Sequence, residues 1–295
     1  MAFHIITDSA SDVPRSVREE FGLHVIPTPV SIDEVDYFDG ETIWPEEFYR
    51  IQAEGKSDIK TYHISQQMFY DHFRPYAEAG DEVLYICFST GIAGTFQAAN
   101  LAKADLLEEF PDFQITIIDS KCASIGFGLV TYYLLLMQKN GAPKELIIEA
   151  ASFFCEHMKI QFTVETLHYL YKGGRVGALS AAAGGILDIK PILIVDEEGA
   201  LKGSENVRGW KKAIRRVEDM IGEKCHDLDH QIIGVVSGSD LSLADQVGDY
   251  LMERYHAKGV LKSQVGCAIG AHTGGGIVGI TALDAVNPAY EQYLF

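Results

Sequence analysis

VLYICFSTGIAGTFQAAN (83–100) begins with a run, Val83 to Phe88, that is apolar almost without interruption. A strand with one face in water alternates apolar and polar side chains. An unbroken apolar run fits a strand covered on both faces, as in a parallel sheet. Gly91 and Gly94 then break the chain, and from Thr95 to Phe110 the apolar residues recur at helical spacing. Buried strand, glycine turn and helix together form half of a βαβ unit. ITIID (115–119) supplies the next buried strand, and Ser124 to Gln138 reads as a buried helix stopped by Asn140-Gly141 and Pro143. Toward the N-terminus, HIIT (4–7) is a short strand, Val13 to Phe21 is amphipathic, and LHVIPTPVSI (23–32) reads as one alternating strand.

The second half has a different rhythm. QFTVE (161–165), PILIVDEEGALKGSENV (191–207), IIGVVSG (232–238), VGCAIGAHTG (265–274) and GIVGITAL (276–283) all read as strands. Glu197, Glu198 and Gly199 mark a hairpin turn within the second of these. Helices are expected from about Arg208 to Gly222 and from Asp240 to His256. The chain therefore reads as α/β with two domains, 1–158 and 159–295. The first holds a parallel sheet sandwiched by helices, the second a mixed sheet with helices on one side.

The chain has 295 residues, 47% hydrophobic and 22% charged, which is ordinary for a folded globular protein. Its longest strongly apolar stretch, GLVTYYLLLM (128–137), is too short to span a bilayer. MAFHIITDSASD has no basic region followed by an apolar core, so the expected compartment is the cytoplasm. A formal net charge of −18 repels nucleic-acid backbones and anionic membranes. The one basic cluster, Lys211, Lys212, Arg215 and Arg216, reads as a solvated helix face, so nucleic acid is not an expected partner. The five cysteines lie far apart without a C-x-x-C pair and are expected as free thiols. Cys225, His226, Asp227 and His230 lack a second pair at ligand spacing, and no metal is expected.

Four polar segments could carry chemistry. TDSASD (7–12) follows the first strand, where Asp8 and Ser9 either cap the next turn or meet a ligand. In the 88–100 segment Ser89, Thr90 and Thr95 join the free N–H groups of a helix start in a neutral nest for an anion, although capping alone also explains Thr95. GAHTGGG (270–276) places His272 and Thr273 in a glycine turn expected between two strands; a histidine there serves structure or ligand equally well. In LHYLYKGGRVGALSAAAGGILDIKPILIV (167–195), an amphipathic segment ends at Lys172. Gly173-Gly174 then present Arg175 on a corner, either as a functional cation or as part of a plain turn. No segment carries the P-loop, dinucleotide or nucleophile-elbow patterns. These features suit a cradle for a small anionic or polar-headed ligand better than an autonomous enzyme.

In order and spacing, TDSASDVP, DYFDGETIWPEEFY (36–49), KT (60–61), STGIAGTFQAA (89–99), IDSKCASIGFG (118–128), LYKGGRVGALSA (170–181), LDIKPIL (187–193) and the 272–276 turn resemble the DegV family of bacterial fatty-acid-binding proteins. The resemblance implies a long-chain fatty acid held between the domains and no other cofactor. It further implies a carrier, not an enzyme, that presents the acyl carboxylate to a separate ATP-dependent fatty acid kinase for acyl-phosphate formation in phospholipid metabolism, with transient membrane contact. Carried over by position, Thr61 and His272 are the carboxylate contacts, with Thr90, Tyr62 and Thr273 around them, and Arg175 and Arg208 belong to the surface that docks the kinase or meets the phosphoryl group. Three positions depart from the family pattern: Ala93 stands where serine is usual, Tyr62 replaces a small serine, and Gly275 replaces proline. The runner-up readings are the substrate-binding subunit of a dihydroxyacetone-kinase-like phosphotransferase, with His272 or His63 holding the carbonyl, and a sensor of a lipid-type ligand.

Overall fold

The computed structural model describes residues 2–175 and 188–295. The first half runs β1 (Phe3–Asp8), α1 (Arg15–Phe21), β2 (His24–Ile26), β3 (Pro29–Ile32), β4 (Val35–Phe38), α2 (Pro45–Glu54), β5 (Ile59–Thr61) and α3 (Gln66–Ala79). It continues through β6 (Glu82–Cys87), α4 (Thr95–Glu109), β7 (Gln114–Asp119), α5 (Ile125–Lys139) and α6 (Lys144–His157). The second half runs β8 (Met158–Val164), α7 (His168–Lys172), β9 (Ile189–Val195), β10 (Leu201–Arg208), α8 (Trp210–Lys224) and β11 (Ile232–Ser237). It ends with α9 (Leu241–Tyr255), β12 (Gly259–Gln264), α10 (Cys267–Thr273), β13 (Ile277–Leu283) and α11 (Pro288–Glu291).

β6 is buried along its whole length, as its apolar run requires, and lies inside a four-stranded parallel sheet of order β2-β1-β6-β7. One face of that sheet is covered by α3 and α4 and the other by α5. A mixed six-stranded sheet of order β10-β9-β8-β13-β11-β12 follows, antiparallel except for the β11–β12 pair. Helices α8 and α9 cover one of its faces.

Its other face turns toward α5, so α5 lies between the two sheets, and this explains why nearly every side chain of this helix is apolar and buried. Two glycines permit the close approach. A Cβ on Gly128 would lie 2.3 Å from the Ser11 carbonyl oxygen, and one on Gly126 would lie 2.3 Å from Ile160 Cδ1. Tyr133 fastens the helix to the second sheet: its hydroxyl donates to the Ile232 carbonyl at 2.8 Å and accepts from the Ile232 N–H at 2.9 Å.

Two expectations need correction. LHVIPTPVSI is two strands, not one. β2 joins the parallel sheet beside β1, whereas β3 pairs with β4 and β5 in a separate antiparallel sheet. Pro27 and Pro29 lack the N–H a continuous ladder needs, so the chain changes sheets between them. VGCAIGAHTG is not a strand from end to end, because Cys267–Thr273 form α10. Its buried residues Cys267, Ala268, Gly270 and Thr273 follow helical spacing, and its first free N–H groups find acceptors on distant side chains. The five cysteines are free, and all but the half-buried Cys155 are fully buried.

Candidate functional site

The Thr61 hydroxyl at the end of β5 and the His272 imidazole in the last turn of α10 meet, with Oγ1 2.7 Å from Nε2. Gly173, just beyond α7, lies against the opposite edge of the ring; a Cβ there would sit 1.9 Å from Nδ1. Nδ1 is buried with no hydrogen-bond partner among the described residues. Burial first, and the nearby Arg175 cation second, hold the His272 imidazole down to about 4, so it is neutral at physiological pH. Arg175 itself turns back, its Nη1 donating to the Gly173 carbonyl at 2.7 Å.

This pair stands in the wall of a cavity between the two sheets. Phe88, Ile92, Ala93, Ala123 and Ile125 line it from the first half, and Ile160, Phe162, Val236, Ile277 and Ile280 from the second. Further polar side chains also line the space, among them Tyr62, His63, Thr95, Arg175 and Thr273. Tyr62 is half exposed, at 52%. The Thr273 hydroxyl donates within its own helix turn, to the Ile269 carbonyl at 3.2 Å.

Other expected residues lie elsewhere. Thr90 is outside the cavity lining, and Asp119 takes both its N–H (3.1 Å) and its hydroxyl (2.5 Å). It borders an adjoining surface groove, which shares His63, Ile92, Ala93 and Arg175 with the cavity rim. Ser89 donates to the Gly199 carbonyl at 2.8 Å and so ties the β6–α4 turn to the β9–β10 hairpin. Arg208, at the end of β10, is exposed and not part of the lining. Of the Leu167–Val195 segment, residues 176–187 lie outside the described residues.

Asp8 does the capping expected of it, accepting from the Ala10 N–H at 3.1 Å. It also accepts from the Tyr85 hydroxyl at 2.7 Å and the Phe88 N–H at 3.2 Å, and it lines the cavity floor. Complete burial outweighs these hydrogen bonds and pushes its carboxyl up to about 6. Two further carboxylates, Asp12 and Asp39, are buried nearby with no pattern in the sequence that marks them. Burial raises both, and each accepts hydrogen bonds at the start of α10. An aspartate in a polar loop carries no sequence signal that it will be buried.

Among the described residues, no cluster of three or more His, Cys, Asp or Glu side chains is arranged to hold a metal ion. Cys225 is buried against the Ala282 carbonyl, and His230 pairs with Glu291 at 2.7 Å. No helix among the described residues is long and apolar enough to cross a membrane.

The family model described as "Uncharacterised protein, DegV family" matches residues 2–285. The chain belongs to the DegV family. A DegV domain-containing protein of Caldanaerobacter subterraneus is 32% identical over 276 residues, covering 94% of this chain and 96% of that one. Among solved structures, a fatty-acid-binding DegV family protein from Thermus thermophilus superposes with a TM-score of 0.86 at 28% identity, covering 97% of this chain and 100% of that one. The Streptococcus pneumoniae fatty acid kinase B3 protein, loaded with linoleic acid, has the same fold, with a TM-score of 0.83 at 18% identity over 97% of this chain and 100% of that one.

Proposed function

We propose that this DegV protein binds one long-chain fatty acid, with the tail in the cavity between the sheets and the carboxylate at Thr61 and His272. The observation that carries this reading is a cavity lined mainly by apolar side chains from both halves, with an uncharged hydroxyl–imidazole pair and one arginine in its wall. Each buried methylene contributes about 0.8 kcal/mol, so a long tail supplies most of the affinity. The headgroup contacts then select for an acid and orient it toward the mouth at Tyr62. The similarity to fatty-acid-binding relatives supports the same reading.

The finer reading is a carrier that does no chemistry itself and presents the carboxylate to an ATP-dependent kinase. Arg175 and Arg208 would lie on the docking surface, and Thr90 and Thr273 would support the head from nearby. The division into domains 1–158 and 159–295 belongs to the same proposal and would allow the halves to part for ligand entry.

Native mass spectrometry of the freshly purified protein, followed by extraction and identification of the lipid, tests the core of it. A fatty acid bound one to one is expected. Repeated recovery of empty protein that takes up no added fatty acid would end this reading. Acyl-phosphate formation with an added kinase and ATP, lost on charge reversal at Arg175 or Arg208, tests the carrier role.

A further inference from the structure

Helix α10 lies late in the chain, yet side chains from the first 52 residues hold it in place. Asp39 accepts from the Cys267 N–H at 2.9 Å and the Ala268 N–H at 3.1 Å, and Asp12 accepts from the Gly266 N–H at 2.8 Å. From α2, Tyr49 donates to the Val265 carbonyl at 3.1 Å and Gln52 donates to the Gly270 carbonyl at 2.9 Å. Gly270 permits this contact, since a Cβ there would lie 2.6 Å from the Tyr49 hydroxyl oxygen. At its far end the same helix delivers His272 to Thr61.

A helix of seven residues cannot hold itself together by its own hydrogen bonds, so its register is set from outside. Burying carboxylates at 3% and 5% exposure is costly unless their hydrogen bonds are well made. Both backbone N–H bonds to Asp39 and the one to Asp12 fall on the first residues of α10 or just before it, while Asp12 also accepts from the Ser124 hydroxyl ahead of α5 and so ties α10 to that helix. His272 follows Ala268 by about one helical turn, so a shift of roughly 1 Å at the clamp reaches the imidazole undiminished and breaks a bond of ordinary length.

We infer that Asp39 and Asp12 are positioning residues for His272: by clamping the start of α10 they set the geometry that distinguishes an ionised carboxylate head from a neutral head on the same tail. This rests on the fatty-acid reading for its ligand, but the clamp itself can be read in the empty protein.

The test uses Asp39→Asn, which keeps the shape and removes the charge, and Tyr49→Phe, a milder loosening of the same helix. In the ligand-free protein, nitrogen NMR of His272 reports its tautomer and titration. The wild type is expected to show one neutral tautomer titrating near 4. The variants are expected to show mixed tautomers and a midpoint moved toward that of an ordinary histidine. In binding, palmitate affinity is expected to fall about tenfold in Asp39→Asn, as for loss of a hydrogen bond to a charged group. Hexadecanol affinity should change less than about twofold, because tail burial is untouched.

An unchanged His272 spectrum, or equal losses for acid and alcohol, overturns the clamp. If Asp39→Asn does not fold, Tyr49→Phe decides the matter by the same two readouts. Wild type that binds neither lipid defeats the fatty-acid reading, while the His272 spectra still decide the clamp.

Discussion

Thr61 and His272 are separated by 211 positions and meet at 2.7 Å, and the proposed head-group recognition depends on that contact. Thr61→Val removes the hydroxyl while keeping the shape. Fatty-acid affinity by isothermal titration calorimetry is expected to fall ten- to a hundredfold, the range of a hydrogen bond to a charged group. Ala93, on the cavity rim, offers a gain-of-function counterpart: Ala93→Ser adds a hydroxyl there and is expected to tighten binding about tenfold. Asp8 makes a prediction about pH. Its carboxyl is pushed from 3.8 up to about 6, so between those values the folded state holds more proton than the unfolded state. Its contribution to stability is therefore full below pH 3.8 and lost as the pH rises through about 6. Urea denaturation of wild type and Asp8→Asn across pH 4–7 should show the wild-type advantage shrinking by about 2 kcal/mol as pH rises. An advantage that grows with pH would contradict the assignment. Residue chemistry of this kind is half legible from sequence. His272 stands out in its glycine-rich surroundings, but the burial of Asp8, Asp12 and Asp39 follows from packing that no local pattern encodes.

The strands and helices with strong periodicity, β6, α4, β7, α5, α8 and α9, lie where their apolar spacing placed them. The failures occurred where tertiary partners override local preference. Cys267–Thr273 looks like strand because its residues are small and apolar, and it is helix because Asp12 and Asp39 receive its leading N–H groups. LHVIPTPVSI alternates throughout, but two prolines divide it between sheets. The contact of α7 with α10 is the most exacting in the site, because the His272 ring edge lies where a side chain on Gly173 would be. Gly173→Ala should therefore displace the imidazole. Expected are a loss of about 1–3 kcal/mol in denaturant unfolding and weaker fatty-acid binding, an overpacking effect. Unchanged binding would show that the ring has room to move.

At the scale of the whole molecule, the cavity belongs to neither sheet. Phe88 and Ile125 face it from one side, and Ile160, Phe162 and Val236 from the other. A ligand filling it binds only the assembled fold and so stabilises both halves together. Saturation at a hundred times the dissociation constant is expected to raise unfolding free energy by about 2.7 kcal/mol. Hydrogen exchange should show added protection in β6 and in β8 alike; protection confined to one sheet would place the tail elsewhere. Phe162→Ala enlarges the cavity and is expected to lower stability by about 3–5 kcal/mol while shifting preference toward bulkier or longer acyl chains, read by competition between fatty acids of graded length.

The sequence by itself determined the α/β class, the parallel sheet around β6, the β9–β10 hairpin and the family, because apolar periodicity, glycine and proline positions and motif order are properties of neighbouring residues. Tertiary structure alone decided that His272 rides on a short helix, that Thr90 is committed to Asp119 and that Asp8, Asp12 and Asp39 are buried. It also decided that α5 is shared by both sheets. Each of these depends on a group far away in the chain, and burial and hydrogen-bond partnership are set only once those distant groups are brought together.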